Sequence, residues 1–161
     1  MRVRLGGTRH ARDRPAPALK PPAAYDVLDV PASAGHRVLL QLERLGTPLG
    51  PVLSVRPSGP GHEPGSRLRF FVEAGTTASF LADLKELGWE PADTDVRTIG
   101  VVPASETPLP PPESPRWMRP PETGRPVVLP PARLLLGALA YACRRGEGRS
   151  GYRPLAGFRA E

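Results

Sequence analysis

The chain has 161 residues, which favours one domain, but 23 prolines and 17 glycines make up about a quarter of it, so the folded unit is expected to be smaller than the chain. A single cysteine, Cys143, excludes an intramolecular disulfide and a cysteine-based metal cluster. The net charge of +6 belongs to the ends: residues 1–24 carry +5, residues 144–161 carry +3, and residues 25–143 carry −2.

In chain order, residues 1–24 are rich in Arg, Gly, Pro and Ala without periodicity and read as a disordered basic arm. Tyr25–Val30 reads as a strand, stopped by Pro31. Ser33 is placed to cap a helix in which Val38, Leu39, Leu42 and Leu45 recur at helical spacing, with Gly46 at its C-terminal end. Pro51–Val55 is a second strand, residues 57–65 a turn-rich loop, and Arg67–Glu73 a third strand. Thr76 or Thr77 is placed to cap a second helix with Phe80, Leu81, Leu84 and Leu87 on one side, Gly88 at its end, and Trp89 packing under the sheet. Thr94–Val102 is the fourth strand. Eleven prolines crowd residues 103–131, making 103–129 a proline-rich strap with a polyproline run at Pro108-Leu-Pro-Pro-Pro112. Within it, Arg116-Trp117-Met118 is expected to dock back on the core. Residues 130–145 read as a last helix opened by Pro130 or Pro131; Leu134, Leu135, Leu136, Leu139, Ala140 and Cys143 cover most of its circumference and predict a buried element. Residues 146–161 form a basic tail. The sequence carries no signal-length or membrane-length apolar run, so the expectation is a soluble cytoplasmic protein that does not associate with membrane.

The order β-α-β-β-α-β over residues 25–102 is that of the split β-α-β unit. It predicts an α+β fold: a ferredoxin-like, RNA-recognition-like four-stranded antiparallel sheet in the order 4-1-3-2, two helices on one face, and an added C-terminal helix. Because strand side chains alternate between faces, Leu28, Val30, Leu68, Phe70, Val72 and Val96 should meet the helices. Tyr25, Val27, Asp29, Arg67, Arg69, Phe71, Asp95 and Arg97 should share the other, open face.

That face offers three chemistries, each with a plainer alternative. Arg67, Arg69 and Arg97 suit nucleotide or backbone phosphate, because guanidinium matches phosphate geometry, or else they neutralise Asp29 and Asp95. Tyr25 and Phe71 sit where base-stacking aromatics belong in an RNA-recognition fold, unless the C-terminal segment with Trp117 covers them. Asp29 and Asp95 could hold Mg²⁺ or Mn²⁺, or form cross-strand ion pairs worth about 0–1 kcal/mol each if exposed. No cofactor is otherwise implied. His10, His36 and His62 match no zinc spacing, the glycines at 59, 61 and 65 precede no Gly-Lys-Ser/Thr, and no nucleophile elbow is present. The basic ends favour DNA, RNA or anionic surfaces non-specifically, against plain solvation. The polyproline run is either a ligand for an aromatic groove or a stiff connector.

Three segments in order resemble the motifs of bifunctional DNA primase/polymerase N-terminal domains of the archaeo-eukaryotic primase superfamily. They are Tyr25-Asp-Val-Leu-Asp-Val-Pro-Ala-Ser-Ala-Gly35, Arg67-Leu-Arg-Phe-Phe-Val-Glu-Ala-Gly75, and Asp95-Val-Arg-Thr-Ile-Gly100 with Val-Val-Pro-Ala-Ser105. The resemblance covers roughly residues 25–142. It implies catalytic carboxylates at Asp29 and Asp95, but the second acid of the family's Asp-x-Asp pair is Pro31 here, and the phosphate-contacting His of its second motif is Arg67. The resemblance also implies a fuller N-terminal module in an active enzyme than residues 1–24 are expected to supply. The resemblance therefore implies a degenerate domain that binds nucleic acid or a nucleotide without catalysis. The alternatives are a metal-dependent primase/polymerase fragment using Asp29 and Asp95, with or without another acid such as Asp26, and a protein-interaction module.

Overall fold

The computed structural model describes residues 22–56, 65–111, 114 and 116–144. The turn-rich loop at 57–64, most of the N-terminal arm and the C-terminal tail lie outside the described residues. Among those described, the chain is α+β, with one antiparallel sheet of five strands in the order β4-β1-β3-β2-β5 and three α-helices. The strands are β1 (Ala24–Pro31), β2 (Val52–Val55), β3 (Arg67–Val72), β4 (Arg97–Pro103) and β5 (Trp117–Arg119). The helices are α1 (Ala32–Arg44), α2 (Phe80–Glu86) and α3 (Leu136–Ala142). No described helix is long and apolar enough to cross a membrane.

The alternation along the strands sorts the apolar residues into two clusters. Leu28, Val30, Val52, Leu68, Phe70 and Val72 join Val38, Leu39 and Leu42 of α1, Phe80 and Leu84 of α2, and Leu135, Leu136 and Leu139 in the main core. On the opposite face Tyr25, Val27, Leu53, Phe71 and Trp117 make a smaller cluster. The sheet is thus buried on both sides over its middle, and each large side chain fully withdrawn from water there contributes about 1.5–3 kcal/mol.

The fifth strand corrects the four-stranded expectation. Leu53 pairs with Trp117 and Val52 with Arg119, so β2 is not an edge. Three residues bracketed by prolines are too short for a period-two pattern, yet without β5 the apolar Leu53 side chain would face water. The strap follows β4 across the open face, runs through β5 at the far edge, and returns to the helix side. There the Glu73 amide donates to the Pro130 carbonyl at 2.9 Å and the Ala132 amide to Thr76 Oγ1 at 3.1 Å.

Other boundaries shift for local reasons. Helix α1 starts at Ala32, not after a Ser33 cap: Pro31 is the N-cap, and the Ala32 amide is satisfied by the Ser66 carbonyl at 2.9 Å. Ser33 is left on the exposed side. Gly46 and Gly88 do end α1 and α2 with φ of +66° and +84°, a conformation side chains resist. Leu45, Leu81 and Leu87 nevertheless point outward. Thr94 and Asp95 precede β4, because Thr94 bridges to Arg144 and the Asp95 amide donates to the Cys143 carbonyl at 2.9 Å. The last helix is shorter than 130–145, and a 3-10 turn at Ala132–Leu135 turns Leu134 into solvent.

Candidate functional site

Strand β1 carries two aspartates on opposite faces. Asp26 points to the helix side and is fully buried. Its Oδ2 accepts from the Thr77 amide at 2.9 Å and the Thr77 hydroxyl at 2.6 Å, and its Oδ1 accepts from the Val101 amide at 2.7 Å. The register between β1 and β4 slips beside it: Tyr25 pairs with Val102, Val27 with Ile99. This bulge would leave the Val101 amide without a ladder partner, and Asp26 supplies one. Burial pushes the Asp26 carboxyl up, but its bonds to Thr77, Gly75 and Val101 outweigh that and hold it below the ordinary value. Asp26 therefore ties β1, β4 and the approach to α2 together, on the opposite face from Asp29, and cannot join a metal site there.

Asp29 faces the other way. It stands opposite Arg69 on β3 and Arg97 on β4 in the ladder, while Arg67 pairs with Pro31 two residues along. Arg67 crosses diagonally. Its Nε donates to Asp29 Oδ1, its Nη2 to the Asp29 carbonyl at 2.9 Å, and its Nη1 to both carboxylate oxygens of Asp95 at 3.2 and 3.3 Å. Arg69 Nε donates to Asp29 Oδ2 at 3.1 Å, and Arg97 Nε lies 3.8 Å from Asp95 Oδ1. The side chains of Arg67 and Asp29 are 9% and 8% exposed, those of Arg69 and Arg97 40% and 50%. Burial works against the charge on Arg67, but its bonds to Asp29 and Asp95 prevail and raise its pKa.

The structure thus brings Asp29, Arg67, Arg69, Asp95 and Arg97 together, with Arg67 between the two carboxylates. A guanidinium holds the place a bridging cation would need, and both Asp29 oxygens already accept from arginine. No group of three or more His, Cys, Asp or Glu side chains suited to a metal occurs among the described residues.

Tyr25 and Phe71 are brought to the same face but not as open platforms. They are 3% and 4% exposed, with ring centroids 5.1 Å apart, edge to face; Phe71 and Trp117 lie 5.8 Å apart. The base-stacking expectation is corrected by this packing: the strap and β5 close over the rings. The remaining surface of Tyr25 and Phe71 forms part of the wall of a cleft of about 840 Å³. Among the described residues, five arginines (56, 67, 69, 97 and 116) and one carboxylate, Asp29, line it, with strap residues Thr107–Pro110 as a wall. Arg56 is not singled out by the sequence, although it directly follows the predicted second strand; Arg116 is expected to dock on the core with Trp117 but not to line a cleft. A second cavity of about 550 Å³ lies beyond the C-terminal end of α1 and holds the Arg119–Glu43 pair, with Nη1 and Oε1 3.4 Å apart. Cys143, near Asp95, is buried; burial first and the Asp95 charge second push its thiol up to about 12.

Comparison with known proteins adds no relative to this geometry: no family model, no curated protein and no solved structure matches the chain.

Proposed function

We propose that this chain is a degenerate primase/polymerase-like domain of ferredoxin-like, RNA-recognition-like ancestry that binds nucleic acid or a nucleotide through phosphate and does not catalyse its transfer. The observation that carries this reading is Arg67 standing between Asp29 and Asp95 in a cleft with five arginines and one carboxylate. Two-metal phosphoryl transfer needs carboxylates free to hold cations about 4 Å apart. Here the carboxylates are engaged by arginine and Pro31 replaces the second acid. Exposed guanidinium groups on Arg69 and Arg97 suit phosphate oxygens, and the covered aromatic rings favour recognition of backbone over base. In this reading the basic ends add non-specific affinity in a cytoplasmic protein.

The test is fluorescence anisotropy with labelled single-stranded DNA and RNA between 50 and 200 mM salt. Binding should weaken with salt, and Arg97→Ala or Arg116→Ala should each lower the log–log slope by about 0.7. Affinity that is absent at low salt, or slopes unchanged in both variants, would sink the reading. Primer extension with Mn²⁺ that is lost in both Asp29→Ala and Asp95→Ala would instead favour the enzyme.

A further inference from the structure

The arginine cleft has an aromatic side built differently from its charged side: Tyr25, Leu53, Phe71 and strap residues Thr107–Pro110 line the same cavity as the arginines. Tyr25, Phe71 and Trp117 stand in a row with Leu53 among them. Over them runs Thr107-Pro-Leu-Pro-Pro111, and it is held at three points. The Tyr25 hydroxyl donates to the Thr107 carbonyl at 2.8 Å, Leu109 packs into the aromatic cluster, and Trp117 Nε1 donates to the Pro111 carbonyl at 2.9 Å. Thr107, Pro108 and Pro111 are otherwise exposed.

Pro108, Pro110 and Pro111 have no amide hydrogen, so this segment offers mainly acceptors. The groove answers with donors at its two ends, a phenol hydroxyl and an indole N–H, and with apolar surface between them. Proline also fixes the extended backbone beforehand, so little conformational freedom is lost on docking. Donors to carbonyls, aromatic walls and a stiff extended ligand are the physical elements of polyproline recognition.

We infer that Tyr25, Leu53, Phe71 and Trp117 form a binding groove for an extended proline-rich peptide carrying a leucine between prolines, and that the chain's own Thr107–Pro111 segment occupies it. The groove shares a wall with the arginine cleft, but its occupancy by the strap rests on the aromatic contacts and not on what the arginines bind. A tethered occupant acts at an effective concentration of millimolar order, so a free peptide of the same chemistry must displace it. The groove is consequently self-masked.

The experiment uses the full chain and a fluorescent eight-residue peptide copying Ala104–Pro111, with anisotropy as readout. One variant carries Pro108→Gly, Leu109→Ser, Pro110→Gly and Pro111→Ser, and its fold is checked by circular dichroism. It should bind the peptide at least tenfold more tightly than the natural chain does. It should also bind at least tenfold more tightly than it binds the same peptide with serine at the leucine position. Equal binding by a folded variant overturns the inference. If the fourfold variant does not fold, Leu109→Ser alone replaces it, and equal anisotropy for the two peptides overturns the inference in the same way.

Discussion

Replacing Arg67 by methionine should cost more stability than removing both members of its main ion pair. Arg67→Met keeps the aliphatic bulk but removes the donors to Asp29 Oδ1, the Asp29 carbonyl and Asp95. Asp29, 8% exposed at its side chain, then keeps Arg69 as its partner. Stranding one half of a buried pair costs about 3–5 kcal/mol. The surviving Arg69 bond and the 22% exposure of Asp95 place this case near the lower end, and a folded unit of this size loses roughly 4 °C in Tm per kcal/mol, so the melt should fall by about 12 °C. Adding Asp29→Leu removes the stranded charge, and the double variant should recover about 1–3 kcal/mol. Urea denaturation followed by circular dichroism measures all four corners of the cycle. A loss under about 1 kcal/mol for Arg67→Met, or a double variant whose losses simply add, would refute the placement of Arg67 as a buried bridge.

Three further outcomes follow from other residues. Because the folded Asp26 carboxyl is held below its ordinary value, its contribution is fully present above the unfolded carboxylate range, near pH 4, and is lost as pH falls through the lower folded value. Urea midpoints measured from pH 7 to 2 should drop less steeply in Asp26→Asn than in the natural chain, and identical slopes would contradict the assignment. Cys143, buried and pushed up to about 12, should resist a thiol reagent at pH 8 until the protein is unfolded; rapid labelling of the native chain would contradict that. At Gly50 a Cβ would collide with the Phe71 carbonyl oxygen and crowd Leu129, so Gly50→Ala should lower stability by about 1–3 kcal/mol in a thermal melt, and an unchanged Tm would contradict the close approach.

The face assignments were readable because the strand period is two. Leu28, Val30 and Phe70 against Tyr25, Val27 and Phe71 fall into the two clusters as alternation requires, and Asp29 and Arg69 meet on the second face. What alternation cannot express is which charges pair. Arg67 reaches two carboxylates diagonally, a matter of side-chain length and burial, and not of register. Asp26 was a legible anomaly, an acid at a core-facing position, but its partners are Thr77, ahead of α2, and a backbone amide freed by a bulge in a strand 75 residues away. Arg116-Trp117-Met118 was expected to dock on the core, but its pairing as strand β5 was not legible, because that pairing depends on Leu53 needing cover, a demand that arises only once the sheet exists. Arg56 and Arg116 enter the cleft by lying at strand ends, where loop paths decide position.

The wrapping strap has a consequence for how the chain is made. β1, first to be synthesised, lies at the centre of the sheet, yet its aromatic side is closed only by residues near 109 and 117, and its helix side only when α3 arrives. At about 5–20 residues per second, roughly 6–20 s separate the emergence of β1 from that of α3. For that interval Leu28, Val30, Tyr25 and Val27 have neither cover complete, and pairing across such sequence distances is slow. The nascent chain is therefore most exposed to misassociation before its proline-rich part has emerged, and a chain stopped at residue 102 would remain in that condition.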